Sequence, residues 1–431
     1  MAVKHYDWKI GAVLPEIGAH SLAKHRILRR YIERYIEIVT ALSWQEELNI
    51  TFVDGYAGGG RYTSGKEILP GSPLILLETV ASMEAILNAA RPKGFRIKAD
   101  FFFVDENTHH TEFLRSQIKQ SPFANKLDRS IQVWTADFNE RVDEITQAIR
   151  AKSPRAQRAI FLLDQYGWSQ VAFRSIRAIL GNLNNAEVFL TFSVDALIDY
   201  LSENSFDMRA FGEIDVDPGL IREIVKIKGD EQVGYRGVIQ NGLYRHIQSA
   251  TGAPFYSPFF IKSPQVHRSY WFIHLSKHRE ARNEIGNIHW AENNTTTHHG
   301  GAGFHALGFS PAKSPDQFTM EYLFDEHASK LSRDTLHKQL PRLIRDAADT
   351  DIAPSLEGLF ELRCNDTPVV RQMLEETLLE LRAMGDIFIV DETGKTRPRA
   401  TSIAWTDRIV LSPQRSFFGP FSEFDPKAKR D

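Results

Sequence analysis

Between residues 21 and 41, in SLAKHRILRRYIERYIEIVTA, apolar side chains recur at three- and four-residue steps. That spacing predicts an amphipathic helix with Ser21 as its N-cap. The pattern then changes. LNITFV (48–53), KADFFFVDE (98–106), SIQVWTADF (130–138) and RAIFLLDQYGW (158–168) are short, nearly unbroken apolar runs. Each precedes a helical stretch, at 73–88, 112–120, 139–152 and 171–180, and EVFLTFSVD (187–195) is a fifth run of the same kind. Strands that are apolar throughout and alternate with helices belong to a parallel sheet covered on both faces, so the expected class is α/β and doubly wound. Residues 199–265 read as a largely helical insertion, SYWFIHLSK (269–277) as a late strand, and 280–290 as a helix beside it.

Beyond the polar, glycine-rich NNTTTHHGGAGFHALGFS (293–310) the pattern shifts again. A helix is expected within 320–347, then two helices in 355–384, then two strands joined by a charged Gly-Lys hairpin, the plan of a winged-helix module. This gives two domains, 1–313 and 320–431, with the boundary near Ser314–Thr319.

Composition changes the picture little. The chain has 431 residues, 42% hydrophobic and 25% charged, which suits ordinary globular domains rather than disorder. Its net charge of −3 gives no global polyanion-binding signature, so nucleic-acid contact would need a local basic face. The single Cys364 excludes an intrachain disulfide and a cysteine-based metal cluster, and suits a reducing cytoplasm. Neither a secretion signal nor an apolar run of about 18 residues is read from the letters, so no membrane is expected. His298, His299 and His305 lack nearby acids, which makes a mobile substrate-side loop a better reading than a metal site.

The chemistry is expected where strands end. Four successive runs close on an acid, Asp54, Asp105, Asp137 and Asp164, at the edge where doubly wound sheets bind ligands. One such acid is ordinarily a helix cap; four are harder to dismiss. After Asp54 come Gly55, Gly58, Gly59 and Gly60, where missing side chains would let backbone amides face a ligand. This is no dinucleotide fingerprint. The pattern is not GxGxxG, and the second acid follows the first by 105 − 54 = 51 residues instead of ~20. An acid-led glycine loop, a second acid and a third suit a nucleoside with a small cationic tail, that is, S-adenosylmethionine.

At these residues a family resemblance enters. FVDGYAGGGRYTSGKEILPGSPLILLE, FFFVDEN, TADFNE and FLLDQYGW resemble the three-Cys-motif partner (TcmP) family of class I methyltransferase-like proteins over the whole chain. AHSLAKHRILRRY and the GGGRY and LPGSPLI segments are also similar to ribosomal RNA adenine-N6 methyltransferases of the RlmJ type. The resemblance implies that Lys24, His25, Asp54, Gly55, Ala57, Gly58, Gly60, Ser72, Asp105, Asp137 and Phe138 contact S-adenosylmethionine. It implies that Asp164 is the catalytic acid. The adenine-N6 motif Asp-Pro-Pro-Tyr is altered here to Asp164-Gln165-Tyr166-Gly167-Trp168. Tyr166 or Trp168 would stack on an acceptor base, and Gln165 would hydrogen-bond it. The implied function is methyl transfer to a nucleic acid or nucleotide-like substrate alongside a radical-type three-Cys partner protein. The alternative is a catalytically altered binding subunit. In the C-terminal region Lys395, Arg397, Arg399, Arg408 and Arg415 mark a basic hairpin suited to nucleic acid or to protein.

Overall fold

The computed structural model describes residues 6–193, 196–197, 208–216, 219, 221–222, 235–262, 269–292, 297–299, 321–323, 326–348 and 353–412. Strands β1 (Glu47–Asp54), β4 (Arg96–Asp105), β5 (Ile131–Thr135), β6 (Arg158–Leu163) and β7 (Asn185–Phe192) run parallel. β9 (Ser269–Ser276) pairs antiparallel with β7, and β8 (Phe255–Lys262) antiparallel with β9. The sheet order is β5-β4-β1-β6-β7-β9-β8. From β1 the chain first winds one way, to β4 and β5, then returns to the other side of β1 through β6 and β7. The topological switch point, where open α/β sheets hold ligands, therefore lies between the carboxyl ends of β1 and β6.

Why the strands read as unbroken apolar runs is visible in their two faces. Phe101 and Phe103 enter one core, with Phe52 and Phe189. Phe102 and Val104 enter the other, with Val53 and Phe161. Helices α1 (Ala19–Val39), α2 (Ser72–Ala90) and α3 (Thr108–Lys119) cover the first face. The second is covered by α4 (Phe138–Lys152) and α5 (Phe173–Asn182), with α6 (Met208–Glu213) and α7 (Tyr235–Thr251) beyond them. Burying each such Phe contributes roughly 1.5–3 kcal/mol, so the two cores fix the sheet before any polar contact acts.

Several local expectations are corrected. Helix α1 starts at Ala19 with Gly18 as its N-cap, because Ser21 is buried inside the first turn. Arg61–Ser64 (β2) and Glu67–Pro70 (β3) form an antiparallel hairpin where only a loop was expected. Within 199–265, read as helical, Phe255–Lys262 is the edge strand β8. β5 ends at Thr135, so Asp137 is not a strand end but the N-cap of α4. Helix α2 is long and apolar enough to cross a membrane by length and composition, contrary to the expectation that no such run exists. Here it lies in the core through Leu74, Leu76, Leu77, Val80 and Met83.

The chain splits into two compact units, Met1–Lys330 with Cys364–Val370, and Leu331–Arg363 with Arg371–Asp431. The boundary expected at Ser314–Thr319 lies outside the described residues. In the first unit, α8 (Arg279–Ala291) carries Arg282, fully buried, whose Nε donates to the carbonyl of Cys364 at 3.0 Å and whose Nη2 reaches the carbonyls of Cys364 and Thr367. A short antiparallel pair, β10 (Thr297–His299) with β11 (Glu321–Leu323), and α9 (Glu326–Ala348) follow. The second unit continues with α10 (Leu356–Glu361), α11 (Arg371–Met384) and the antiparallel pair β12 (Ile387–Val390) and β13 (Arg408–Leu411).

Arg282→Met should strand the carbonyls of Cys364 and Thr367 and lower stability by about 2–4 kcal/mol in chemical denaturation. A loss below about 0.5 kcal/mol would mean that water already serves those groups.

Candidate functional site

At the switch point two carboxylates meet opposite fates. Asp54, the last residue of β1, is fully buried. Its Oδ1 accepts the amide of Tyr56 at 3.2 Å, while Oδ2 is buried without a hydrogen bond within normal geometry among the described residues. Burial pushes its pKa up to about 7; the nearby Ser72 hydroxyl and the Tyr56 amide oppose this, and the charges of Asp164 and Asp105 reinforce it. Asp164, one residue past β6, is only half-buried; its partial burial is opposed by Lys24, by Thr191 and by His25, which hold it below its ordinary value. Lys24, buried on α1, donates to Asp164 Oδ1 and lies 3.5 Å from the Thr191 hydroxyl at the end of β7. One acid is thus pre-charged and its neighbour is kept close to neutral.

His20 and His25 flank this pair on α1. Burial first, then the Lys24 charge among others, drops both to about 4 against the pull of Asp164, so both imidazoles are neutral at pH 7. His20 stacks on Tyr270 of β9 at 5.2 Å, and His25 lies 6.0 Å from the Tyr62 ring of β2. At the next strand tip Asp105 accepts the amide of Gly58 at 2.9 Å on Oδ2, and the amide of Asn107 and His110 Nδ1 on Oδ1. Glu106 is raised by its own partial burial and by Asp137 and Asp105.

The glycine loop is built differently from the expectation. The amides of Gly55, Ala57 and Gly58 bond to Leu162 O, Val104 O and Asp105 Oδ2, so they close the loop on its own scaffold instead of facing a ligand. A Cβ on Gly55 would meet Phe138 at 2.8 Å and Leu163 at 2.9 Å, and one on Gly60 (φ +78°) would meet Leu114 at 2.7 Å. On Gly58 and Gly59 it would strike the indole of Trp8, which lies on the loop and donates from Nε1 to Arg61 O at 2.5 Å. Sequence reasoning missed Trp8, Tyr6 and Tyr62, whose rings sit 5.1–5.8 Å from one another, because nothing periodic links them. It also missed Thr191, although a polar letter inside EVFLTFSVD was a signal.

Other expected site residues divide clearly. Ser72 opens α2 behind the Gly71 cap. Asp137 spends Oδ1 on the Asn139 amide at 2.6 Å, a helix cap, and Phe138 is buried beneath Gly55. Gln165, also buried, accepts the amides of Gln170 (2.9 Å) and Val171 (3.0 Å), which shapes the 164–171 loop and points its acceptor away from any substrate. Trp168 belongs to the core, its ring 5.2 Å from Phe211. Tyr166 is half-buried, as are Asp164 and Gly167 of the same motif, and its ring lies 6.1 Å from that of Tyr6. His298 and His299 lie on β10, His305 and Arg415 lie outside the described residues, and no group of three metal-ligating side chains occurs among the described residues.

No protein-family model matches the chain, and no curated protein matches it. Among solved structures, it is similar to a Bordetella parapertussis protein described as a possible exported protein (10% identity, 59% of this chain and 67% of that one, TM-score 0.26). It is similar also to the DszA carbon methyltransferase (14% identity, 61% and 55%, TM-score 0.29), so the chain spans little more than half of that protein. A third is the O-methyltransferase of a Brevibacillus brevis trans-AT polyketide synthase multienzyme, solved with S-adenosyl-L-homocysteine (10% identity, 64% and 84%, TM-score 0.19). At such TM-scores these likenesses carry no functional argument.

The raised pKa of Asp54 has a testable sign. Between about 4 and about 7 the folded state keeps a proton that the unfolded state has released, so this stability is lost as pH rises through 7. Asp54→Asn should therefore gain on the parent as pH goes from 5 to 8, by on the order of 2–4 kcal/mol in denaturant titrations. A pH-independent difference would remove the assignment.

Proposed function

We propose that the chain is an S-adenosylmethionine-dependent methyltransferase whose cofactor occupies the crevice at the β1/β6 switch point. The observation that carries this reading is the fully buried Asp54, which has no cation and, at Oδ2, no hydrogen bond within normal geometry among the described residues, with only the Ser72 hydroxyl near, beside Asp164, whose cation is already supplied. A buried acceptor of this kind favours a ligand that brings its own positive charge. The donor set fits such a ligand in part. Asp54 suits the ammonium end and Asp105 the ribose hydroxyls, in exchange for the Gly58 amide and His110 that it now holds. Asp137 and Phe138 can offer the adenine side only their outer edges, since one is a cap and the other is buried. When bound, the cofactor supplies an electrophilic methyl group.

The chain's own part is positioning and proton handling. Held ionised by Lys24, Asp164 can orient an acceptor amino or hydroxyl group and take up its hydrogen bond. Tyr166 is the aromatic left accessible for stacking on a nucleic-acid base or a nucleotide-like acceptor. The helices and hairpin of the C-terminal unit suit a winged-helix role, presenting that substrate or a three-Cys partner protein. A second reading is favoured by a specific fact: Gln165 and Trp168 are spent on the loop and the core. A catalytically altered binding subunit would keep the crevice and lose transfer.

Calorimetry with S-adenosylhomocysteine should give micromolar binding, weakened tenfold or more, about 1.4 kcal/mol, by Asp105→Ala. Asp164→Ala should keep that affinity within a few-fold and abolish transfer of labelled methyl to RNA, DNA or nucleosides. Absence of binding would end both readings; binding without transfer in the parent would leave the second.

A further inference from the structure

Behind the crevice lies a second polar cluster that the reaction scheme does not use. Tyr31 of α1 donates its hydroxyl to Glu187 Oε2 of β7 at 2.5 Å, and His274 Nε2 of β9 meets the same oxygen at 3.1 Å. Tyr31 is 1% exposed, Glu187 4% and His274 1%. His274 Nδ1 has no hydrogen-bond partner among the described residues, so Nε2 carries the donated proton. Tyr35, Glu284 and Arg158 are the other ionisable groups whose charges reach this cluster.

The spacing of this cluster from the crevice is what matters. Lys24 and Tyr31 are seven residues apart on α1, one face of the helix, about 10 Å along its axis. Their partners Thr191 and Glu187 are four apart on β7, one face of the strand, about 13 Å along it. Helix α1 therefore touches β7 with polar groups at two places, one at the strand tip and one two turns deeper. The apolar side chains beside them, Ile27 and Leu28 between the two and Ile32 just past Tyr31, hold the helix on the sheet, but such burial has no direction. A hydrogen bond to a buried carboxylate has one.

We propose that Tyr31, through Glu187 and His274, is the positioning residue that sets the register of α1 on the sheet and thereby holds Lys24 against Asp164. Its importance for turnover rests on the methyltransferase reading; its effect on Asp164 does not. If α1 slips or turns, the Lys24 ammonium leaves Asp164, burial is no longer opposed, and the Asp164 carboxyl titrates at higher pH.

Carboxyl NMR titration of protein labelled at aspartate, with the Asp164 resonance assigned through Asp164→Asn, reads this directly and needs no activity. Tyr31→Phe should raise the Asp164 pKa by about half a unit or more, in the direction of Lys24→Met. Ile32→Ala, which costs stability on the same helix face without touching a polar group, should leave it in place. Glu187→Gln, which keeps an acceptor for the Tyr31 hydroxyl, should restore the parent titration. Should Tyr31→Phe fail to fold, Glu187→Met replaces it, since it leaves no unpaired buried carboxylate, with the same shift expected. An unmoved Asp164 in the folded variant, or an equal shift in Ile32→Ala, overturns the proposal. Loss of S-adenosylhomocysteine binding in the parent would instead strike the methyltransferase reading and leave this one standing.

Discussion

The Lys24–Asp164 ion pair is the constraint from which the rest of the crevice follows. A carboxylate taken out of water without a partner costs several kcal/mol, and removing one member of a buried pair typically costs 3–5 kcal/mol. The cation comes from a helix 140 residues earlier in the chain. Docking α1 beside β7 thus favours the ionised form of the β6 tip. The same helix brings His20 and His25, which burial and the Lys24 charge keep neutral, so no second cation competes for the acid. Asp54, a strand away, receives no cation among the described residues, and burial pushes its pKa up to about 7. Neighbouring acids driven apart in this way are the arrangement that separates binding from proton-handling roles.

The glycine loop serves the scaffold first. Gly55 and Gly60 let the loop lie on Phe138, Leu163 and Leu114, and Gly58 and Gly59 admit the Trp8 indole. The amides of Gly55, Ala57 and Gly58 are turned inward and tie β1 to β4 and β6. What the loop presents to a ligand is therefore not a row of N–H groups but the carboxylates that it brackets. This shifts the basis for a cationic ligand from the glycines to Asp54 and Asp105.

Much of this was legible in the letters, for physical reasons that can be named. Parallel strands buried on both faces must be apolar at every position, so LNITFV, FFFVD and AIFLLD stand out, and their terminal acids with them. Strand β8 did not, because Pro258 interrupts FYSPFFIK; the sheet tolerates that proline only at its edge, where β8 lies. The β2–β3 hairpin escaped because β2 is half-buried at all four positions and carries no alternation. Ser21 looked like a cap since nothing local says that it faces the core. Trp8 on Gly59 and Tyr31 on Glu187 join residues 51 and 156 positions apart, and pairwise tertiary contacts leave no periodic trace. Only the polar letters Glu187 and Thr191 in an otherwise apolar strand hinted at them.

The charge of the crevice bears on how an acceptor reaches it. Asp54, Asp105, Glu106 and Asp164 lie at or just past strand tips, with Asp137 nearby as the N-cap of α4, and the Lys24 charge is consumed by Asp164. Such a field draws a cationic ligand and repels phosphates. A single base or nucleoside can enter, but a strand would have to keep its backbone outside the acidic zone and be held by cations elsewhere. In the C-terminal unit, Arg397 is tied to Asp407, which leaves Lys395, Arg399 and Arg408 as the exposed bases of the hairpin among the described residues. On the proposed methyltransferase reading, the acidic crevice favours an acceptor that keeps phosphates away from the strand tips.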